Sequence, residues 1–228
     1  MARNIEECIN YKKMIEKNLK SFNRNREMLN KLLESISSSS VKEITNIINE
    51  GADLNGTNQR GETPLYIASF QGDINVMMLL LAHSADFEIC DDEGESPLMV
   101  AAEEGHIDCV KLLIALGADV NKCDYFNFSP LYVASQHGHS EIVRELILNG
   151  ADVNEADDID KTTPLIISAQ EGHVSCMKIL LKGGADIYQS DKYNENAFNY
   201  AYKNSHMNCF EILKKYEQNI LSTKKRKY

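Results

Sequence analysis

The chain has no run of about 18 uncharged apolar residues, the length a membrane-crossing helix needs, so no transmembrane segment is expected. Its start, Met1-Ala-Arg-Asn-Ile-Glu-Glu-Cys-Ile-Asn10, lacks the basic stretch and apolar run of a secretory signal. These absences predict a soluble intracellular protein, placed in the cytoplasm, and there six cysteines read as reduced thiols rather than a disulfide framework. Positive charge is scarce in the middle of the chain. Residues 41–213 hold ten Lys and Arg against 28 Asp and Glu, whereas residues 1–40 hold eight basic and five acidic side chains and 214–228 hold six and one. Phosphate backbones are bound through Lys and Arg, so this acidic body is unsuited to nucleic acid. Also missing are a glycine-rich phosphate loop, a Gly-x-Ser-x-Gly elbow, a His-Glu-x-x-His pair, and any His and Cys spacing that converges four zinc ligands. No cofactor and no metal are expected, and catalysis is the most distant of the functions considered.

Proline is scarce too, and its four occurrences organise the sequence. Pro64, Pro97, Pro130 and Pro164 lie 33, 33 and 34 residues apart, each after Thr or Ser and before Leu. A second marker runs in phase: Asp86, Asp119, Asp152 and Asp186, each preceded by Ala, follow the prolines by 22 residues every time. A hydroxyl residue before proline places an N-cap ahead of the first helical position, where the missing N–H costs nothing. Each unit therefore opens with a helix, which ends near Gly72, Gly105, Gly138 and Gly172. A second helix follows, and in the third unit its apolar positions are Ile107, Cys109, Val110, Leu112, Leu113 and Leu116, a helical stripe. Leu112 and Leu146 are expected core positions. An extended finger then turns at Gly61, Gly94, Asn127 and Asn194, residues that tolerate positive φ. Lys161 holds that place in the fifth unit, where one extra residue among Asp157 to Asp160 predicts an irregular finger.

The stretch Gly94-Glu-Ser-Pro-Leu-Met-Val-Ala-Ala-Glu-Glu-Gly-His106, continued by Ile107 to Asn121, resembles the ankyrin-repeat family, whose unit carries a Thr-Pro-Leu-His-x-Ala signature. The resemblance implies an all-α solenoid of helix-turn-helix units with β-hairpin-like fingers. Full repeats fall at 61–93, 94–126, 127–160 and 161–193, with capping repeats at 28–60 and 194–218, so that the repeat domain spans 28–218. Terminal units of such a stack must be atypical. The first lacks Thr-Pro-Leu, and in the last Ala197 replaces proline. Outside them lie an N-terminal extension, 1–27, and a basic tail, 219–228. Tyr11, Ile15, Leu19 and Phe22 follow helical spacing, and the extension is expected to be a helix packed on the first repeat, the alternatives being a helix for a partner or a flexible arm.

By phase, His106, His139, His173 and His206 match the family's Gly-His, which implies imidazoles bonded to loop backbone. Cys109, Cys176 and Cys209 share the position of Val76 and Ile142 and read as small core residues. Cys90 and Cys123 sit one repeat apart in fingers, and stacked elements about 8 to 10 Å apart exceed the disulfide limit of about 7 Å. Asn55, Asn121 and Asn154 are positions where the resemblance allows enzymatic hydroxylation; stabilisation of the finger is the stronger reading.

In this family partners usually meet the fingers and the exposed side of the first helix. The corresponding residues that the repeat does not dictate are Arg60, Tyr66, Phe70, Asp92, Glu93, Glu95, Glu103, Glu104, Tyr125, Phe126, Phe128, Tyr132, Gln136 and His137. Two features stand out. The finger Tyr125-Phe126-Asn127-Phe128 carries aromatics where polar residues suffice, and aromatics dominate interface hot spots; Tyr66 and Tyr132 extend that patch. Beside it runs an acid shelf of Asp91, Asp92, Glu93, Glu95, Glu103 and Glu104. Together they ask for a partner protein offering a basic segment with an apolar anchor, bound by a monomeric scaffold, adaptor or inhibitor. The alternative is a nuclear regulator masking a transcription factor or kinase, since Lys224-Lys-Arg-Lys-Tyr228 resembles a nuclear-import signal, although such a tail is equally plain solubilising charge.

Overall fold

The computed structural model describes residues 2–225, with side chains for 13, 14 and 17–222. Among them are twelve helices and no strand: α1 (Ala2–Ser37), α2 (Val41–Asn49), α3 (Pro64–Gln71), α4 (Ile74–Ala82), α5 (Pro97–Glu103), α6 (Ile107–Ala115), α7 (Pro130–Gln136), α8 (Ser140–Leu148), α9 (Pro164–Glu171), α10 (Val174–Lys182), α11 (Ala197–Lys203) and α12 (Met207–Lys225). Each hydroxyl-proline-leucine step opens a helix. The side chains of Thr63, Ser96, Ser129 and Thr163 accept from the N–H groups of Tyr66, Met99, Tyr132 and Ile166 at 3.1 to 3.3 Å, with proline next in line. Where proline is absent, Asn196 and Asn199 form a reciprocal capping box instead.

Odd-numbered helices stack in one row and even-numbered helices in a second, so every unit packs on its neighbours alone. Between the rows runs one continuous core. Leu65, Leu98, Leu131 and Leu165 fill it from the inner row, and Leu80, Leu113, Leu146, Leu180 and Leu213 from the outer. This register corrects the pairing of Leu112 with Leu146. Leu146 is fully buried and corresponds to Leu113, whereas Leu112 corresponds to Glu145 and is only part-buried, because a three-to-four spacing admits Cys109, Val110 and Leu113 to the core and leaves Leu112 on the flank.

Side chains that reach into a neighbouring repeat tie the units together. The Nε2 atoms of His106, His139 and His173 bond the backbone oxygens of Phe70, Glu103 and Gln136 at 3.0, 2.8 and 2.9 Å. In the last unit Asn204 donates to the Gln170 carbonyl at 2.8 Å. Gly105 shows how tight these joints are: its φ is +84°, and an added Cβ would lie 2.6 Å from His139 Cε1. At the finger bases Asn55, Asn121 and Asn154 accept from the N–H groups of Asp86, Asp152 and Asp186, which gives these asparagines an inter-repeat bond. Glu88 takes the same place in the second finger, accepting from Asp119 N–H and pairing with Lys122.

The fingers are hairpins too short for a strand ladder. The N–H of Asp91 donates to Glu95 O and that of Asp124 to Phe128 O, and neighbouring fingers are linked by Asp92 to Arg60, Tyr125 to Glu93, Asp158 to Phe126 and Lys192 to Asp160. Positive φ occurs at Gly61, Gly94, Asn127, Lys161 and Asn194. The extra residue before Lys161 is absorbed as a bulge, with Asp157 bonding Thr162, five residues on, instead of the fourth.

At the N-terminus α1 runs unbroken from Ala2 into the cap, where Met28, Leu32 and Ile36 are buried. Between residues 17 and 27 it does not pack on the first repeat. Residues 17–27 are exposed, and a cleft of about 770 Å³ separates Phe22, Arg26 and Leu29 from Asp53, Thr57 and Arg60 of the first finger. No Gly or Pro interrupts residues 2–50, so nothing turns the helix back. Side chains of Tyr11 and Ile15, and the basic tail beyond Ser222, lie outside the described side chains. Among the described residues no helix is long and apolar enough to cross a membrane, and no group of three His, Cys, Asp or Glu could hold a metal ion.

Candidate protein-binding groove

The inner helix row forms a floor and the fingers a side wall. Near the N-terminal end they enclose a cavity of about 630 Å³ lined by Leu33 and Glu34 of α1, Arg60 and Glu62 of the first finger, Tyr66, Ile67 and Phe70 of α3, and Glu95, Val100, Glu103 and Glu104 around α5. Its floor is apolar and its rim anionic. Phe70 stands 50% exposed over it. Arg60 is paired with Glu62 at 3.2 Å, and Asn58 donates to the same carboxylate at 2.6 Å.

Tyr66 is 5% exposed and donates its hydroxyl to Glu95 at 2.7 Å. Burial, with Glu95 beside it, pushes this phenol far above its usual range, and burial likewise raises the Glu95 carboxyl even as Tyr66 holds it down. Glu103 is raised by burial and by Glu104, with His137 opposing. Among the described residues the Glu103 carboxylate has no hydrogen-bonding or ion-pair partner.

Two assignments to the exposed surface are corrected here. Tyr66 and Tyr132 do not extend the aromatic patch: the second residue after proline, Tyr66, Met99, Tyr132 and Ile166 in successive units, points into the stack and is buried. Asp91 is not part of the shelf, being 8% exposed and accepting from Glu93 and Glu95 N–H at 3.0 and 2.9 Å; Asp124 and Asp191 close their finger turns in the same way. The exposed acids are Asp92, Glu93 and Glu104, with Glu95 and Glu103 part-buried.

The aromatic finger divides. Tyr125 is 74% exposed and rests on Gly94 of the preceding finger, and Phe126 is 49% exposed. Phe128 is part-buried, its ring 4.7 Å from that of Tyr132 and 6.4 Å from Phe126. Gln136 and the exposed His137 end the next inner helix, with His137 Nδ1 bonded to Val133 O.

The structure thus gathers Arg60, Tyr66, Phe70, Glu95, Glu103 and Glu104 around one cavity and places Tyr125, Phe126 and Phe128 further along the same face, outside it. Sequence reading missed Leu33, Glu34, Ile67 and Val100. Leu33 and Glu34 lie in the cap, where no proline marker sets the register.

The family described as ankyrin repeats (3 copies) matches residues 21–124 and 131–224. A comparison with curated protein sequences finds no match. With the family match covering most of the helix pairs, finger turns and loop histidines described above, the chain belongs to the ankyrin-repeat family, whose stacked units are protein–protein interaction modules and typically non-enzymatic scaffolds.

Proposed function

We propose that the chain is a scaffold, adaptor or inhibitor that holds a partner protein in the groove between fingers and inner helices, and that the partner offers a basic segment bearing an apolar anchor. The observation that carries this reading is Glu103, a part-buried carboxylate with no hydrogen bond or ion pair among the described residues, set beside Glu95 and Glu104 at the edge of an apolar floor. A charge kept partly out of water is costly unless paired, and an arriving Lys or Arg supplies the missing partner while Phe70 receives the anchor. The charges then govern approach and selectivity, and the apolar contacts most of the affinity.

Two synthetic helical peptides, equal in length and each with one Phe, test this reading. One carries four Lys and the other four Glu in the same places. In fluorescence anisotropy the basic peptide binds and weakens as salt is raised, the acidic one does not bind, and Glu103→Gln with Glu104→Gln removes most of the difference. Equal binding of both peptides, or an unchanged preference in the variant, overturns the reading.

A further inference from the structure

The chain carries, outside its groove, a segment with the chemistry that the groove accepts. Between residues 13 and 26 of α1 there are five basic side chains, Lys13, Lys17, Lys20, Arg24 and Arg26, against the single acid Glu16. Lys13, Lys17, Lys20 and Arg24 recur at intervals of four, three and four and so form one row; Leu19 and Phe22 lie about half a turn away on the opposite side. Leu19 is 55% and Phe22 64% exposed, large apolar groups left mostly uncovered by the described residues. The groove is complementary in both respects, with five carboxylates, Glu34, Glu62, Glu95, Glu103 and Glu104, around an apolar floor and only Arg60 of opposite sign.

We infer that residues 13–26 of one copy dock in the groove of a second copy. The inference rests on the groove reading above and names its occupant. The unbroken α1 leads this segment away from its own groove, so the contact has to be made between molecules. Two α1 segments facing one another would bring like-charged rows together, whereas segment in groove pairs opposite charges. The lengths agree. Fourteen helical residues span about 21 Å, and units stacked about 10 Å apart put the same distance between α3 and α7, from Phe70 to the aromatic finger. This is an amphipathic helix laid in a groove, and because segment and groove are different surfaces the pairing is heterologous.

Sedimentation velocity of the full chain tests the inference. In low salt the average mass rises above the 25.7 kDa of one chain as concentration increases, and it falls back as salt is raised. Leu19→Ser with Phe22→Ser removes the segment's anchor, and Glu103→Gln with Glu104→Gln removes groove charge; each variant alone associates at least about tenfold more weakly than the unaltered chain. Mixed, the two variants pair one to one, because the first keeps an intact groove and the second an intact segment. A chain that stays monomeric in low salt at about 200 μM, a concentration that reveals contacts of micromolar strength, overturns the inference. So does a groove variant that self-associates like the unaltered chain, or a mixture that fails to pair. If the monomeric chain instead binds vesicles of anionic lipid through α1, the segment serves a membrane surface and self-docking is refuted. Should the chain stay monomeric yet capture the basic peptide, self-docking fails and the groove reading stands; should it capture neither, both fail.

Discussion

Phe126 and Phe128 are two residues apart in one finger, and their substitution by Ser should separate binding from stability. Full burial of a Phe is worth about 1.5 to 3 kcal/mol. Phe128 is part-buried against the core and stacks near Tyr132 at 4.7 Å, an aromatic pairing that adds about 0.5 to 1.5 kcal/mol. Phe128→Ser should therefore cost about 2 to 3 kcal/mol, which for a chain of this size lowers the melting temperature by about 4 to 12 °C. Phe126 is 49% exposed, and its recorded ring neighbour is Phe128 at 6.4 Å, so Phe126→Ser should cost no more than about 1 kcal/mol. Circular dichroism melts give both values, and anisotropy with the basic peptide gives binding at a temperature where both variants remain folded. Phe126→Ser should weaken binding with the fold intact. Equal thermal losses from the two substitutions, or an unchanged melt for Phe128→Ser, would refute the division of this finger into a packed ring and a free one.

Further outcomes follow from the same structure. Leu146→Ala should cost about 2 to 5 kcal/mol in urea unfolding, and Leu112→Ala clearly less, since only the first side chain is fully enclosed; a reversed order would mean that the outer-helix register is wrong. Burial raises the Glu103 carboxyl above its ordinary 4.5, so the cost of its charge is absent below that pH and appears as pH rises through the folded value; Glu103→Gln should then melt higher than the unaltered chain at neutral pH and alike at pH below 4.5. At Asp191 burial opposes the charge, but the hydroxyl of Tyr200 and the N–H groups of Glu195 and Tyr193 hold the carboxyl below its ordinary 3.8; its stabilisation is present above 3.8 and lost as pH falls through the folded value, so the loss caused by Asp191→Asn should shrink in acid melts. Burial pushes the thiols of Cys109 and Cys176 up to about 11, and thiol alkylation of the folded chain should leave these two unmodified until denaturant is added, with reductant leaving the melt unchanged.

The repeat was legible because its markers are local. A hydroxyl before proline, a glycine at a left-handed turn and a histidine after it each report a backbone requirement within a few residues, and those requirements recur every unit. Lys161 and its bulge could be foreseen as one residue too many in an otherwise fixed count. Tyr66 and Tyr132 misled because exposure depends on which way a position points in the stack, which the residue type alone does not state. Asp91 misled for a related reason: an acid that closes its own turn has the same letter as one that faces a partner. The path of residues 1–27 could not be read from spacing, since an amphipathic stripe states that a helix has a preferred side and says nothing about what lies there. The cap contribution of Leu33 and Glu34 was hidden by the missing proline, which removed the ruler used elsewhere.

The loop histidines fasten each unit to the next through main-chain oxygens, those of Phe70, Glu103 and Gln136, while Asn204 uses that of Gln170. A backbone carbonyl is present whatever the side chain. The residues that carry these fasteners end the inner helices and face the groove, so their side chains are free to change from aromatic to acid to amide without loosening the joint. Evolution, or a protein engineer, can therefore rewrite the recognition face one unit at a time while the architecture beneath it stays the same.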